Sequence, residues 1–138
     1  MALVLDTGPL LAALDSADPD HQACAALFTE GTEDLVVPAL VLAELDYWVQ
    51  RRLDPQVWLT FLEDVLAGAY RIEEPTADDL RRCLDLQAQY GSLELGVVDA
   101  SVLALTERLG EKKLATLDHR HFGTVRPVHT ESLALLPG

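Results

Sequence analysis

Short runs of consecutive apolar residues alternate along the chain with longer stretches in which Ala, Leu and Val recur every three or four positions. The short runs predict strands at Leu3-Val4-Leu5, Leu35-Val36-Val37, Tyr70-Arg71-Ile72, Leu114-Ala115-Thr116 and Val125-Arg126-Pro127. The longer stretches predict helices. One opens at Pro9 and runs through Leu10–Leu14, and one spans His21 to Glu30 and stops at Gly31. Pro38 opens another that reaches about Arg52, and Asp54-Pro55 caps one that reaches about Ala67. Thr76-Ala77-Asp78-Asp79 resembles a capping box with Asp in place of Glu or Gln, and starts a helix reaching about Tyr90. After a loop over Gly91–Gly96, a last helix runs from about Asp99 to Leu109 and ends at Gly110.

Strands that alternate with helices of ten or more residues predict an α/β three-layer sandwich around a mostly parallel sheet, because parallel neighbours need a crossover between them. The pattern runs through residues 1–138 as one domain, with no repeat or low-complexity segment. In such sheets sites form beyond the carboxyl ends of the strands. Chemistry is therefore expected just after Leu5, Val37, Ile72, Thr116 and Val125.

Composition narrows the choice of partner. The 138 residues carry 10 Lys and Arg against 23 Asp and Glu, a formal charge of −13, which excludes a broadly basic, duplex-coating surface. No run approaches the roughly 20 apolar residues that span a bilayer, and the N-terminal run meets Asp6 before it reaches signal-peptide length. Cys24 and Cys83 both fall in predicted helices and read as reduced core thiols, so a cytoplasmic location is expected.

Most of the 23 acids have neighbours that explain them. Asp78, Asp79 and Asp85 share a helix with Arg81 and Arg82, and Glu107 and Glu111 adjoin Arg108, Lys112 and Lys113, so all five read as solvated faces. Four others stand in apolar company. Asp6 ends the first strand, and Asp118 follows the strand at Leu114–Thr116. Glu44 has Leu40, Val41, Tyr47 and Trp48 at helical spacing, and Asp99 interrupts Val97-Val98-Asp99-Ala100-Ser101-Val102-Leu103. Helix capping suits Asp6 and Asp99, a turn suits Asp118 and a salt bridge at the core margin suits Glu44, so each has an ordinary structural alternative. Asp46, beside Leu42, Ala43 and Val49, is not separated from Glu44 by spacing alone.

The predicted fold gathers strand ends and helix starts at one edge, and four carboxylates gathered there cannot all stay ionised without a cation. An all-oxygen set suits Mg²⁺ or Mn²⁺ rather than zinc. His119 and His121 form an H-x-H pair that raises a rival zinc reading, since it can present two imidazoles, but a bare pair in a turn reads rather as a polar surface loop, and Tyr47, Trp48 and Trp58 read as packing residues.

Together these segments resemble the PIN-domain ribonucleases, and more narrowly the VapC-type toxins of toxin–antitoxin pairs. The likeness rests on Leu3–Leu11, Pro38–Leu45, Val98–Ser101, Ala115–Phe122 and Val125–Pro127 in that order and spacing. It implies a PIN-like fold, a metal-dependent endoribonuclease, and Asp6, Glu44, Asp99 and Asp118 as catalytic and metal-binding acids with Mg²⁺ or Mn²⁺ as cofactor. It also implies an RNA substrate, a homodimer, and a helical, DNA-binding antitoxin of VapB type as partner. Two departures stand out. Ser92 and Glu94 occupy positions where relatives often have Asp and Pro, and His119, Arg120 and His121 follow Asp118 where relatives often have another acid. Both weigh toward one tightly held ion rather than two.

Such a site would activate water for in-line attack and leave a 5′-phosphate and a 3′-hydroxyl. Thr7 and Arg120 are the candidate substrate contacts, and a basic rim is expected from Arg108, Lys112, Lys113, Arg120 and Arg126 with Arg51 and Arg52. Asp6-Thr7-Gly8 also matches the tripeptide of retroviral-type aspartic proteases, but their nearly all-β fold excludes a chain this rich in helices. The alternative of another class is a catalytically silent PIN-fold binding module whose acidic pocket grips a basic partner segment.

Overall fold

The structure is a computed structural model that describes residues 1–138. Its sheet has five strands, β1 (Ala2–Leu5), β2 (Asp34–Pro38), β3 (Arg71–Glu73), β4 (Lys113–Ala115) and β5 (Ala134–Leu136). They lie in the order β3-β2-β1-β4-β5 and every pairing is parallel. The helices are α1 (Thr7–Leu14), α2 (His21–Glu30), α3 (Ala39–Arg52), α4 (Pro55–Leu66), α5 (Ala77–Gln89), α6 (Val97–Leu109) and α7 (His119–Thr124). All four residues of β1 are buried, and because successive side chains point to opposite faces, both faces of the central strand are covered.

β1 is also where the topology turns. The chain leaves it for β2 and β3 on one side and returns by α5 and α6 to β4 and β5 on the other. The crevice at such a switch point opens at the carboxyl end of the strands, next to residues that follow β1 and β4. α6 packs on α5 and reaches β1 and β2, so its N-terminal turn arrives at the same edge.

The structure corrects the sequence reading in three places. Val125-Arg126-Pro127 is not a strand. The fifth strand is Ala134–Leu136, carried by backbone hydrogen bonds that bracket β4, Thr116 N–H to Leu136 O at 2.9 Å and Ala134 N–H to Lys112 O at 2.9 Å. The segment after Asp118 is the short helix α7 rather than a turn, because Asp118 caps it by accepting from the His121 N–H at 3.0 Å.

The third correction concerns charge. Asp79 is only 5% exposed and Glu107 has 6% of its side chain exposed, so neither lies on a solvated face. Asp79 completes the capping box with Thr76 and also accepts from Arg108 Nε at 3.1 Å. Glu107 takes a two-pronged grip from Arg82 at 2.8 and 3.1 Å and accepts from the Val128 N–H. Glu111 accepts from the Ala2 N–H at 3.0 Å, which ties the start of β1 to the segment before β4. These pairs bolt α5 to the far end of α6. Cys24 and Cys83 are buried free thiols, as expected. No helix is long and apolar enough to cross a membrane.

Asp79→Ala removes a cap and the carboxylate that accepts from Arg108 Nε. It should lower unfolding free energy by about 2 kcal/mol in urea titrations, against about 1 kcal/mol for Thr76→Ala.

Candidate active site

Asp6 leaves β1 and enters α1 with an extended backbone, and both carboxylate oxygens are engaged. Oδ1 accepts from the Thr7 N–H and Oδ2 from the Thr116 hydroxyl, each at 2.8 Å. Thr116 in turn accepts from the Asp118 N–H at 3.0 Å, so one buried hydroxyl joins the acid after β1 to the acid after β4. The structural and site readings of Asp6 and Asp118 are not alternatives, and where a turn was expected at Asp118 the residue is a helix cap. Each side chain caps its helix through Oδ1 and still lines the cleft, where Asp6 Oδ2 accepts from Thr116 and Asp118 Oδ2 faces His121.

Asp99 is not an N-cap. Gly96 holds that position, α6 begins at Val97, and Asp99 lies in the first turn, where a helix N-terminus favours negative charge. Its Oδ2 faces His121 Nδ1 at 3.1 Å, and Asp118 Oδ2 faces the same nitrogen at 2.8 Å. Glu44 projects from α3 into the same space. An open cleft of about 450 Å³ is lined by Asp6, Glu44, Asp99 and Asp118 together with Thr7, Trp48 and Arg52. All four acids singled out in the sequence therefore meet in one cleft. Asp46 does not line it and instead accepts from Gln50 at 3.1 Å.

Burial and mutual repulsion disturb these acids. Asp6 is 5% exposed, and desolvation raises its carboxyl to about 7 despite the two hydrogen bonds that oppose the shift, with Asp99 and Glu44 adding repulsion. Asp99 is also raised, first by burial, while His121 holds it down and Asp118 and Glu44 push it up. A cation would relieve both strains. A further sign that the site suits an ion with its waters is the Thr7 hydroxyl, buried beside Asp6 and without a hydrogen-bond partner. The donors are oxygens from four carboxylates and a hydroxyl, the set that fits a hard divalent ion.

The expected basic rim is largely absent. Arg108 sits at the opposite end of α6 from Asp99, paired with Asp79 and Glu73, and Lys113 at the start of β4 binds Glu33. Arg120 is exposed on α7 and does not line the cleft. The cation in the wall is Arg52, whose guanidinium lies 4.5 Å from the centre of the Trp48 ring. Trp48 thus packs against the core, as expected, and also walls the cleft; a Trp and an Arg four apart after Glu44 were the available signal. Thr116 is the other participant missed, because a strand Thr carries no mark, and His121, weighed with His119 as a metal pair and set aside as a surface turn, enters the site because that segment is a helix.

Ser92 and Glu94 line no part of the cleft, so the loop before α6 adds no acid to it. That loop reaches the site through the backbone: the Leu93 carbonyl accepts from His121 Nε2 at 2.8 Å.

A pH dependence follows from Asp6. With its carboxyl near 7 in the fold and near 3.8 in the unfolded chain, the native state binds more protons across that window, so stability falls as pH rises through it. The metal-free protein should melt at lower temperature at pH 8 than at pH 5, and metal-free Asp6→Asn should show a flatter profile, both read by thermal denaturation.

Comparisons with known proteins bear on the family and the fold. Residues 3–126 match the PIN domain family. The chain is 31% identical over 135 residues to ribonuclease VapC26 of Mycobacterium tuberculosis, covering 98% of this chain and 100% of that protein. Among solved structures, the Mycobacterium tuberculosis toxin VapC20, described as cleaving the sarcin–ricin loop, superposes with a TM-score of 0.80 at 19% identity, covering 93% of this chain and 98% of that one. VapBC2 of Rickettsia felis, solved bound to a DNA fragment from its promoter, gives 0.70 at 18% identity, covering 98% and 97%. The chain belongs to the PIN-domain family, alongside the VapC ribonucleases.

Proposed function

We propose that the chain acts as one PIN domain, a metal-dependent endoribonuclease that serves as the toxin of a toxin–antitoxin pair in the cytoplasm, with a VapB-type antitoxin as partner. The observation that carries this reading is the convergence of Asp6, Glu44, Asp99 and Asp118 on one cleft, with Asp6 buried and raised to about 7. The near full-length likeness to ribonuclease VapC26 supports the choice of RNA.

Asp6 and Asp99 hold the cation, Mg²⁺ or Mn²⁺, with Asp118 and Glu44 completing the set directly or through water. A divalent ion held there supplies Lewis acidity to the scissile phosphate and lowers the pKa of water. Glu44 enters from α3, an element apart from the strand ends, and orients the attacking water or takes its proton. Thr7 offers its unpartnered hydroxyl to a phosphate oxygen or to water. Arg52, rather than Arg120, neutralises the phosphate nearest the cleft, and the Trp48 ring beneath it holds the guanidinium in place.

Purified protein incubated with pooled tRNA and rRNA should give discrete fragments bearing 5′-phosphates in Mg²⁺ or Mn²⁺ and none in EDTA. Asp6→Asn and Asp99→Asn should each lose at least about 100-fold in rate, the scale on which removal of one essential charge acts. Absence of cleavage by folded, metal-loaded protein overturns the reading in favour of a binding module. Arg52→Ala should weaken RNA binding and reduce the slope of log affinity against log salt by about 0.7, the loss of one phosphate contact to a single strand.

A further inference from the structure

The α7 helix brings a nitrogen donor into a site otherwise built from oxygen. His121 Nδ1 lies 2.8 Å from Asp118 Oδ2 and 3.1 Å from Asp99 Oδ2, and one ligand atom from each of the three residues falls within 4.8 Å of the others. The ring's other nitrogen is committed elsewhere. A carbonyl oxygen can only accept, so Nε2 carries the proton it donates to Leu93 O at 2.8 Å. Nδ1 therefore meets the two carboxylates either with a second proton or, in the neutral ring, with a lone pair that a metal ion between them would take up in place of that proton.

We infer that His121 Nδ1 is a direct ligand of the cation held by Asp99 and Asp118, giving this site one nitrogen donor and a preference for Mn²⁺ over Mg²⁺. The inference rests on the metal-dependent reading above and extends it to a residue outside the four acids. Three features of the chain agree with it. Two cis ligands about 2.1 Å from a six-coordinate ion stand about 3 Å apart, the separation of Nδ1 from both oxygens. A backbone carbonyl accepting from the far ring nitrogen is the usual way a ligating histidine is fixed in tautomer and orientation. The ring also sits on a capped helix whose own N-cap is Asp118, so ligand and ligand are set three residues apart by one turn of backbone. Mn²⁺, like Mg²⁺, takes carboxylate and water, but as a first-row transition ion it accepts an imidazole nitrogen more readily than Mg²⁺ does. The H-x-H pair itself is not the site, because His119 is exposed and only His121 points inward.

The test uses the full chain stripped of metal and titrated with Mn²⁺ alone. Pulsed electron paramagnetic resonance of the bound ion should show a ¹⁴N coupling that changes to the ¹⁵N pattern when histidine is isotopically labelled. The coupling should vanish in His121→Gln and persist in His119→Ala, and by calorimetry His121→Gln should lose about tenfold of the preference for Mn²⁺ over Mg²⁺. The wild-type spectrum decides the matter even if His121→Gln fails to fold. Stoichiometric Mn²⁺ without nitrogen coupling, or a coupling that survives in folded His121→Gln, overturns the ligand while leaving the acid-held cation intact. No bound Mn²⁺ overturns both the ligand and the metal-dependent reading.

Discussion

A carboxylate forced into the carboxyl end of the central strand sets the terms for everything around it. Asp6 cannot retreat to solvent, because β1 is buried on both faces and α1 begins at the next residue. Its charge has to be met locally, and the structure supplies a backbone N–H, a threonine hydroxyl and an open cleft at the edge of the sheet. Thr116 is the key intermediary. By donating to Asp6 and accepting from the Asp118 N–H, it fixes how far β4 runs before the chain turns into α7, and so fixes where Asp118 and His121 come to rest.

The site is consequently assembled from elements far apart in sequence but stiffly connected. Asp99 depends on the placement of α6, and α6 is anchored at its other end by Arg108 on Asp79 and Arg82 on Glu107. Those pairs are partly or largely shielded from water, so they resist screening better than surface pairs and keep the α6 axis in register with α5. The acids that read as surface decoration, Asp79 on α5 and Glu107 on α6, are thus part of the support for the helix that carries Asp99.

Strand ends and apolar stripes were legible because hydrophobic period reports burial directly, and an acid within such a pattern is conspicuous. That is why Asp6, Glu44, Asp99 and Asp118 stand out from the other acids. What the chain conceals is pairing. Asp79 and Glu107 lie beside arginines in sequence, yet their partners are Arg108 and Arg82, 29 and 25 residues away. The last strand was misplaced because Val125-Arg126-Pro127 has strand-like residues but no edge to join, whereas Ala134–Leu136 meets β4. His121 was hidden by the same limit: an H-x-H pair looks exposed until Asp118 caps the residues after it into a helix and turns one ring inward.

Five of the ten basic residues, Arg71, Arg81, Arg82, Arg108 and Lys113, are occupied by carboxylates away from the cleft. The net charge of −13 is therefore spread over a surface with few free cations, and its field extends about 8 Å into a medium of physiological salt. A polyanion approaches against that field, while a basic polypeptide is drawn in from farther out. Arrival rates are thus unequal before any contact forms: the net charge slows encounters with polyanions and speeds those with polycations, and lower salt widens the difference.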